Sequence, residues 1–183
     1  MDIITAQAEL RASYLNGGPG AVVSGIVWLA AAVSATTWGT PTGFVVLFFG
    51  GMTIFPLGTL VVRTLFRRDP PSRGNPGGRT VIETVIPMIG GFLAAWILLP
   101  FRPDLVFPLA AIAVGAHYFG FRTAYGDAAY WGLATVVCGV GLGAIFVQVP
   151  SGVTVPYVIA AIEAIFGLWV TAKEASPRAR KPS

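Results

Sequence analysis

The chain has 183 residues, of which 55% are hydrophobic and only 11% are charged. Ordinary soluble domains carry about 25% charged residues, so this composition excludes a water-soluble fold. The net charge of +4 gives no reason to expect nucleic-acid binding, and a single cysteine, Cys138, excludes an internal disulfide and a cysteine metal cluster.

Six apolar segments have about 17 to 25 residues each, the length that crosses a bilayer. They cover residues 21–38, 43–65, 81–99, 105–121, 127–148 and 152–172. Most of the connections are short, so neighbouring helices are expected to be antiparallel. The sequence therefore predicts an all-α polytopic membrane protein, a bundle of six transmembrane helices within residues 20–173.

Residues 1–19 are predicted to form a cytoplasmic or interfacial segment. Residues 3–15 mix apolar and polar side chains as a short amphipathic helix on a membrane surface does. No Lys or Arg precedes Arg11, so we expect no cleavable signal peptide and keep the first apolar run as a membrane span.

The basic residues predict the orientation of the bundle. Six spans place eleven of the twelve Lys and Arg residues on one side and Arg102 alone on the other. Short cytoplasmic loops accumulate basic residues, so both termini and the Pro/Gly-rich loop 66–80 are predicted to be cytoplasmic. Residues 174–183 are predicted to form a disordered cytoplasmic tail.

Glu163 is the clearest ionisable residue inside a predicted span. It lies eleven residues beyond Gly152, or about 17 Å into a hydrocarbon layer about 30 Å thick, and so near its midplane. Desolvation there favours the protonated carboxyl, which could carry a proton or bind a cation. A neutral carboxyl could equally hydrogen-bond a neighbouring helix.

The fourth span contains a second group of polar side chains. His117 is predicted about five residues, or about 7 Å, from the cytoplasmic end of this span. Tyr118 and Arg122 are one turn apart on an adjoining face. The chain has one histidine, which cannot build a His-rich metal site, so a structural hydrogen bond is favoured over a proton relay.

Glu83 opens the third span close to the predicted inner surface. An acid in this position suits the positive end of a helix and could pair with Arg63, Arg79 or Arg122. Capping and pairing are therefore favoured over a functional role, and binding or proton relay is kept as the alternative.

The second span holds Pro56 together with Gly50, Gly51 and Gly58 near its middle. Proline removes a helical hydrogen bond, so this helix is predicted to be kinked and could be broken, as helices at transporter binding sites are. Close helix packing is the alternative explanation, and it is favoured because both residue types are frequent in membrane helices.

Two segments carry a resemblance to a known family. The run from Gly50 to Gly58 reads G-G-x-x-I-F-P-L-G, and the run from Gly115 to Phe121 reads G-x-H-[FY]-x-x-F. In both, the chain resembles uncharacterised bacterial multi-pass membrane proteins grouped as a domain of unknown function. The resemblance implies Gly50, Gly51, Pro56, Gly58, His117 and Phe121 as family positions, and it implies no activity.

Two functions are consistent with these features. The first is a small transporter- or channel-like protein of the plasma membrane that uses the carboxylate of Glu163. The second is a non-catalytic membrane component that packs with lipid, with another copy of itself or with a partner protein. No protease, hydrolase or phosphate-loop motif is present, so an enzyme is not favoured, and neither a cofactor nor a metal is expected. An intramembrane enzyme would need a polar cleft holding at least two of Glu163, His117 and Glu83.

Overall fold

The computed structural model describes residues 1–148 and 151–176, which form seven α-helices and no β-strand. The helices are α1 (Ile3–Tyr14), α2 (Gly18–Trp38), α3 (Thr40–Thr64), α4 (Pro76–Leu98), α5 (Val106–Tyr125), α6 (Ala129–Phe146) and α7 (Val155–Ala175). Six helical segments, with α1 and α2 counted together, are long and apolar enough to cross a membrane. The predicted all-α membrane bundle is therefore confirmed.

The helices differ from the predicted spans mainly at their ends. α4 begins at Pro76 rather than near Val81, because the Asn75 side chain accepts a hydrogen bond from Gly77 N–H and proline suits the first helical position. α7 continues to Ala175, into the predicted tail, while residues 177–183 of that tail lie outside the described part of the chain. Residues 149 and 150, between the fifth and sixth predicted spans, also lie outside it.

The six long helices are arranged as two rows. α2 packs extensively against α3 and α7, and α5 packs extensively against α4 and α6. Contacts of α7 with α5 and α6 join the rows on one side. On the other side, the Phe44 ring of α3 stacks on the Phe92 ring of α4, with centroids 5.9 Å apart.

Small residues set the close approach of the helices within each row. A Cβ atom built on Gly25 of α2 would lie 2.9 Å from the backbone oxygen of Ala160 in α7. One built on Gly115 of α5 would lie 2.7 Å from the backbone nitrogen of Cys138 in α6. Both distances are shorter than real contacts, so these helices approach through their backbones, as small residues allow in membrane bundles.

One end of the bundle, where α3, α5 and α7 end and α4 and α6 begin, carries Arg63, Arg67, Arg122 and Lys173. We call it the basic end. Helix α1 packs here: the Gln7 amide donates to the Thr123 carbonyl (2.8 Å) and the Arg11 guanidinium to the Tyr125 carbonyl. The predicted amphipathic segment is thus a helix fastened to the bundle, and that this end is cytoplasmic stays a prediction.

The Pro/Gly-rich loop before α4 is also fastened to α1. The Glu9 carboxylate accepts hydrogen bonds from Asn75 Nδ2 (2.6 Å) and from the backbone N–H of Ser72 (2.9 Å). These hydrogen bonds, with Asn75 contributing most, lower the pKa of Glu9 below its usual value.

Candidate functional site

Glu163 lies in α7 and is completely buried. It is two residues, or about 3 Å, from the middle of the helix, which runs from Val155 to Ala175. Small residues of α7 on the same side, Ala160 and Gly167, bring α2 close, so the carboxyl is covered by protein rather than exposed on the surface of the bundle.

The Tyr118 hydroxyl of α5 donates a hydrogen bond to Glu163 Oε1 over 2.9 Å. Tyr118 is itself buried, and Ser24 of α2, also buried, lies beside both groups. Three helices from both rows therefore enclose the carboxyl.

The second oxygen of Glu163, Oε2, is buried and has no hydrogen-bond partner among the described residues. The Ser24 hydroxyl lies nearby but forms no hydrogen bond with this oxygen, so Oε2 accepts none if the carboxyl is ionised and donates none if it is protonated there. Buried polar atoms are almost always hydrogen-bonded, so this carboxyl lacks one expected hydrogen bond in either protonation state.

Aromatic rings separate the carboxyl from the basic end. The Tyr118 and Phe121 rings of α5 lie 5.5 Å apart between centroids, and Phe121 lies 5.3 Å from Tyr130 of α6. Tyr130 in turn contacts Phe166, one turn along α7 from Glu163, at 5.2 Å. This apolar wall keeps the surroundings of Glu163 at low polarity, where electrostatic interactions are strong.

A string of hydrogen bonds continues beyond this wall. The Tyr130 hydroxyl donates to the Asn16 carbonyl, and Asn16 Nδ2 donates to Asp127 Oδ2 over 2.7 Å. Burial raises the pKa of Asp127, but hydrogen bonds from Ala129 N–H and Asn16, with Lys173 at 3.3 Å, outweigh it and hold the pKa below its usual value. Asp127 therefore stays ionised where α6 begins, and its other oxygen accepts a hydrogen bond from the N–H of Ala129, the first residue of that helix.

His117 does not join the Glu163 site. α5 continues to Tyr125, so His117 lies eight residues, or about 12 Å, from the helix end rather than the predicted 7 Å. Its Nδ1 is 2.7 Å from the Thr84 hydroxyl of α4. That hydroxyl donates its one hydrogen to the Val81 carbonyl, so Nδ1 is assigned as the protonated nitrogen.

Glu83 is exposed on α4. The start of this helix is capped by Asn75 and not by Glu83. The ion pairs among the described residues are Arg102–Asp104 and Lys173–Asp127, so the expected pairing of Glu83 with an arginine is not seen. Arg63 donates to the Arg68 and Ser13 carbonyls instead. Arg122 lies in the last turn of α5 and is partly buried.

α3 runs without interruption through Pro56, which is exposed. A break at this residue, which the sequence allowed, is therefore not seen. Gly50 and Gly58 face α2, since a Cβ atom at these positions would lie 2.7 Å from Val27 and 3.0 Å from Gly20. Gly51 faces open space.

The structure adds residues that the sequence analysis did not single out. Ser24 is a small polar residue in an apolar run, a common pattern that by itself points to no site. Asn16 has a left-handed backbone (φ 52°) in the turn between α1 and α2, and only the fold brings it to Asp127. An intramembrane enzyme would need at least two of Glu163, His117 and Glu83 in one cleft, but Glu163 is buried among α2, α5 and α7, His117 contacts Thr84 of α4, and Glu83 is exposed on α4.

The family model that matches the chain describes a family of unknown function, DUF7010, and covers residues 3–173. This confirms the resemblance to a family of unknown function, while bacterial origin and the two short motifs stay predictions. No curated protein and no solved structure matches the chain.

Proposed function

Because the chain belongs to this family of unknown function, we propose its activity from the site itself: it is a small membrane transporter that binds and releases a proton at Glu163. The observation that carries the proposal is the buried, unpartnered Oε2 of this carboxyl. A purely structural hydrogen bond between α5 and α7 needs only the Tyr118 hydroxyl and one oxygen. It leaves the second oxygen unexplained.

A proton suits the surroundings of this oxygen better than a metal cation does. Hard divalent cations take about six or more oxygen ligands. Around Glu163, the neighbouring side chains Tyr118 and Ser24 supply two hydroxyls. A proton needs only one oxygen, which Oε2 provides. Its binding neutralises the carboxylate charge that is costly to bury in an apolar core.

Proton release then provides the driving force for a conformational change. The neutral carboxyl fits the closed, aromatic-lined packing, whereas the ionised carboxyl requires water or a counter-charge and so favours a more open arrangement. Proton release is coupled to helix movement because the two protonation states of Glu163 favour different helix arrangements. In this proposal the basic end faces the cytoplasm of a plasma membrane, as expected from the position of the basic residues.

The test uses the full chain reconstituted into vesicles on a solid-supported membrane. Concentration jumps of small cations, organic anions and amines are applied across a pH gradient, and the charge displacement is recorded. Wild-type protein is expected to respond to one class in a pH-dependent way, and Glu163→Gln is expected to abolish the response.

Glu83→Gln is the matched control, because it makes the same chemical change at an exposed carboxyl in another spanning helix. It is expected to leave the response intact. A response that survives Glu163→Gln would contradict the proposal. Loss of the response in both variants would also contradict it, because the effect would then not depend on the buried site.

A second candidate function is a membrane component that acts by packing against a partner. The observation that favours it is the low burial of α3 and α4. In an apolar stretch of 18 residues, only 17% of the residues of α3 and 11% of those of α4 are buried inside the protein. Lipid covers such faces in any membrane protein, so a partner must be demonstrated directly. Mild detergent extraction should then yield a stable complex, and a lone monomer would count against this function.

A further inference from the structure

A small open pocket lies at the basic end, between α1 and the segment that follows α3. Ala12 and Ser13 form one wall, and Phe66, Arg67, Arg68 and Asp69 form the other. Its volume is about 240 Å³, which is ample for a phosphate group. The pocket is separate from Glu163, which lies near the middle of α7.

Arg67 adopts a strained backbone in the wall of this pocket. Its φ is 52°, a left-handed conformation that is uncommon outside glycine and persists where the surroundings enforce it. Arg68 N–H bonds to the Val62 carbonyl (3.3 Å), and the Arg63 guanidinium donates to the carbonyls of Arg68 and Ser13. The wall is therefore built in advance and tied to both α1 and α3.

The guanidinium groups of the two arginines that line the pocket are largely available to a ligand. Arg67 makes no hydrogen bond to the described residues, and Arg68 makes one long side-chain bond, from Nη2 to the Glu174 carbonyl (3.4 Å). Asp69 lines the same pocket, yet neither arginine forms an ion pair with it, since the ion pairs among the described residues lie elsewhere. A guanidinium has five donors in a planar fork that matches an oxyanion such as phosphate.

The pocket lies directly beyond the end of α3, a helix that is long and apolar enough to cross a membrane. Leu65, directly before the pocket residues, is 72% exposed at the end of the apolar helix α3. In a bilayer spanned by α3, the pocket would begin where the chain leaves the hydrocarbon region, beside basic residues of the kind that anionic lipid attracts.

We propose that this pocket binds a phosphate group, either that of an anionic phospholipid or a free phosphate anion, through Arg67 and Arg68. Bidentate hydrogen bonding by a guanidinium makes the site selective for the oxyanion. Raising the salt concentration weakens the interaction, because the site is open to solvent.

The experiment measures binding to the full-length protein in neutral detergent with three probes: phosphatidylglycerol, inorganic phosphate and diacylglycerol, which has no phosphate. Wild-type protein is expected to bind phosphatidylglycerol or inorganic phosphate and not diacylglycerol. Arg67→Gln is expected to weaken that binding about tenfold, the effect of losing one charge-assisted hydrogen-bonding group. Binding of the lipid alone identifies a headgroup site, and binding of the free anion identifies a site for soluble phosphate.

Arg73→Gln is the matched control, since Arg73 is exposed in the same connection but does not line the pocket. It should change the affinity less than twofold. Equal weakening by both variants, or equal binding of diacylglycerol, would overturn the proposal, as would the absence of binding by any probe. Arg67→Gly separates binding from folding, because glycine relieves the left-handed strain: thermal stability should be kept or raised while phosphate binding is weakened at least as much as in Arg67→Gln.

Discussion

Two carboxyl groups inside the spanning helices, Glu163 and Glu83, have opposite surroundings. Glu163 is enclosed by α2, α5 and α7, with one hydrogen bond and one unpartnered oxygen. Glu83 is exposed on α4, a helix of which little is buried. Both are glutamates in apolar helices, so the difference comes from how each helix is turned toward the bundle. Burial inside protein, rather than depth along a helix, makes a carboxyl a candidate site.

Two adjacent residues of α5, His117 and Tyr118, differ in the same way in their contacts. His117 of α5 faces Thr84 of α4 across a partly buried interface. The next residue, Tyr118, faces α7 and reaches Glu163. Adjacent residues of one helix point about 100° apart, so α5 offers one polar side chain to the core and another to the flank. We therefore expect equivalent substitutions to have different effects in the core around Glu163 and on α4 at the edge of the bundle.

The largest expected difference is in stability when each carboxyl side chain is removed. Glu163→Ala leaves a cavity in a packed core, and truncations of buried side chains cost about 2–5 kcal/mol. Glu83→Ala removes an exposed side chain and should leave the unfolding midpoint nearly unchanged. Thermal unfolding of both variants in the same detergent measures the difference, and equal destabilisation would mean that the two environments are not distinct.

A second comparison concerns glycine. Gly25→Ala in α2 forces a Cβ atom to within 2.9 Å of the backbone of α7, and overpacking of this kind costs about 1–3 kcal/mol. Gly51→Ala in α3 points into open space, and alanine favours the helix by about 1 kcal/mol. Denaturant titration should move the two midpoints in opposite directions. Tolerance of alanine at Gly25 would contradict the close packing of α2 on α7.

The smallest expected effect is the pH dependence of the contact between α1 and the loop before α4. The pKa of Glu9 is lowered in the folded protein, so its hydrogen bonds stabilise the contact above the usual value of 4.5 and are lost as the pH falls through the lowered pKa. Hydrogen exchange at Ser72, corrected for the intrinsic rate, should increase on acidification. Glu9→Gln should remove most of this pH dependence. An unchanged profile in the variant would assign the effect to another group.

Much of the fold follows from the sequence, because a membrane requires about 20 consecutive apolar residues for each helix. The depth of Glu163 could be counted from Gly152 for the same reason. Its partner could not, since the rotation of α5 about its axis decides whether His117 or Tyr118 faces α7. These helices carry apolar residues on all their faces, so no amphipathic pattern in the sequence reveals that rotation.

Other features depend on contacts between distant segments. The sequence predicts that residues 3–15 lie on the membrane surface, but it does not reveal that Gln7 and Arg11 bind the end of α5 or that Glu9 binds the loop before α4. Pro56 indicates a helix that could break, but α3 is continuous. The unpartnered oxygens of Glu163 and Asn16 become visible only once every neighbour has been placed.

The central claim is that the Glu163 carboxyl gains and loses a proton inside the bundle. Infrared difference spectroscopy of the full-length protein, titrated over pH, reports the C=O stretch of a protonated carboxyl. We predict a titrating band, shifted as expected for an apolar environment, that is present in the wild type and in Glu83→Gln and absent in Glu163→Gln. A spectrum with no such band, or with a band that survives Glu163→Gln, would contradict the account.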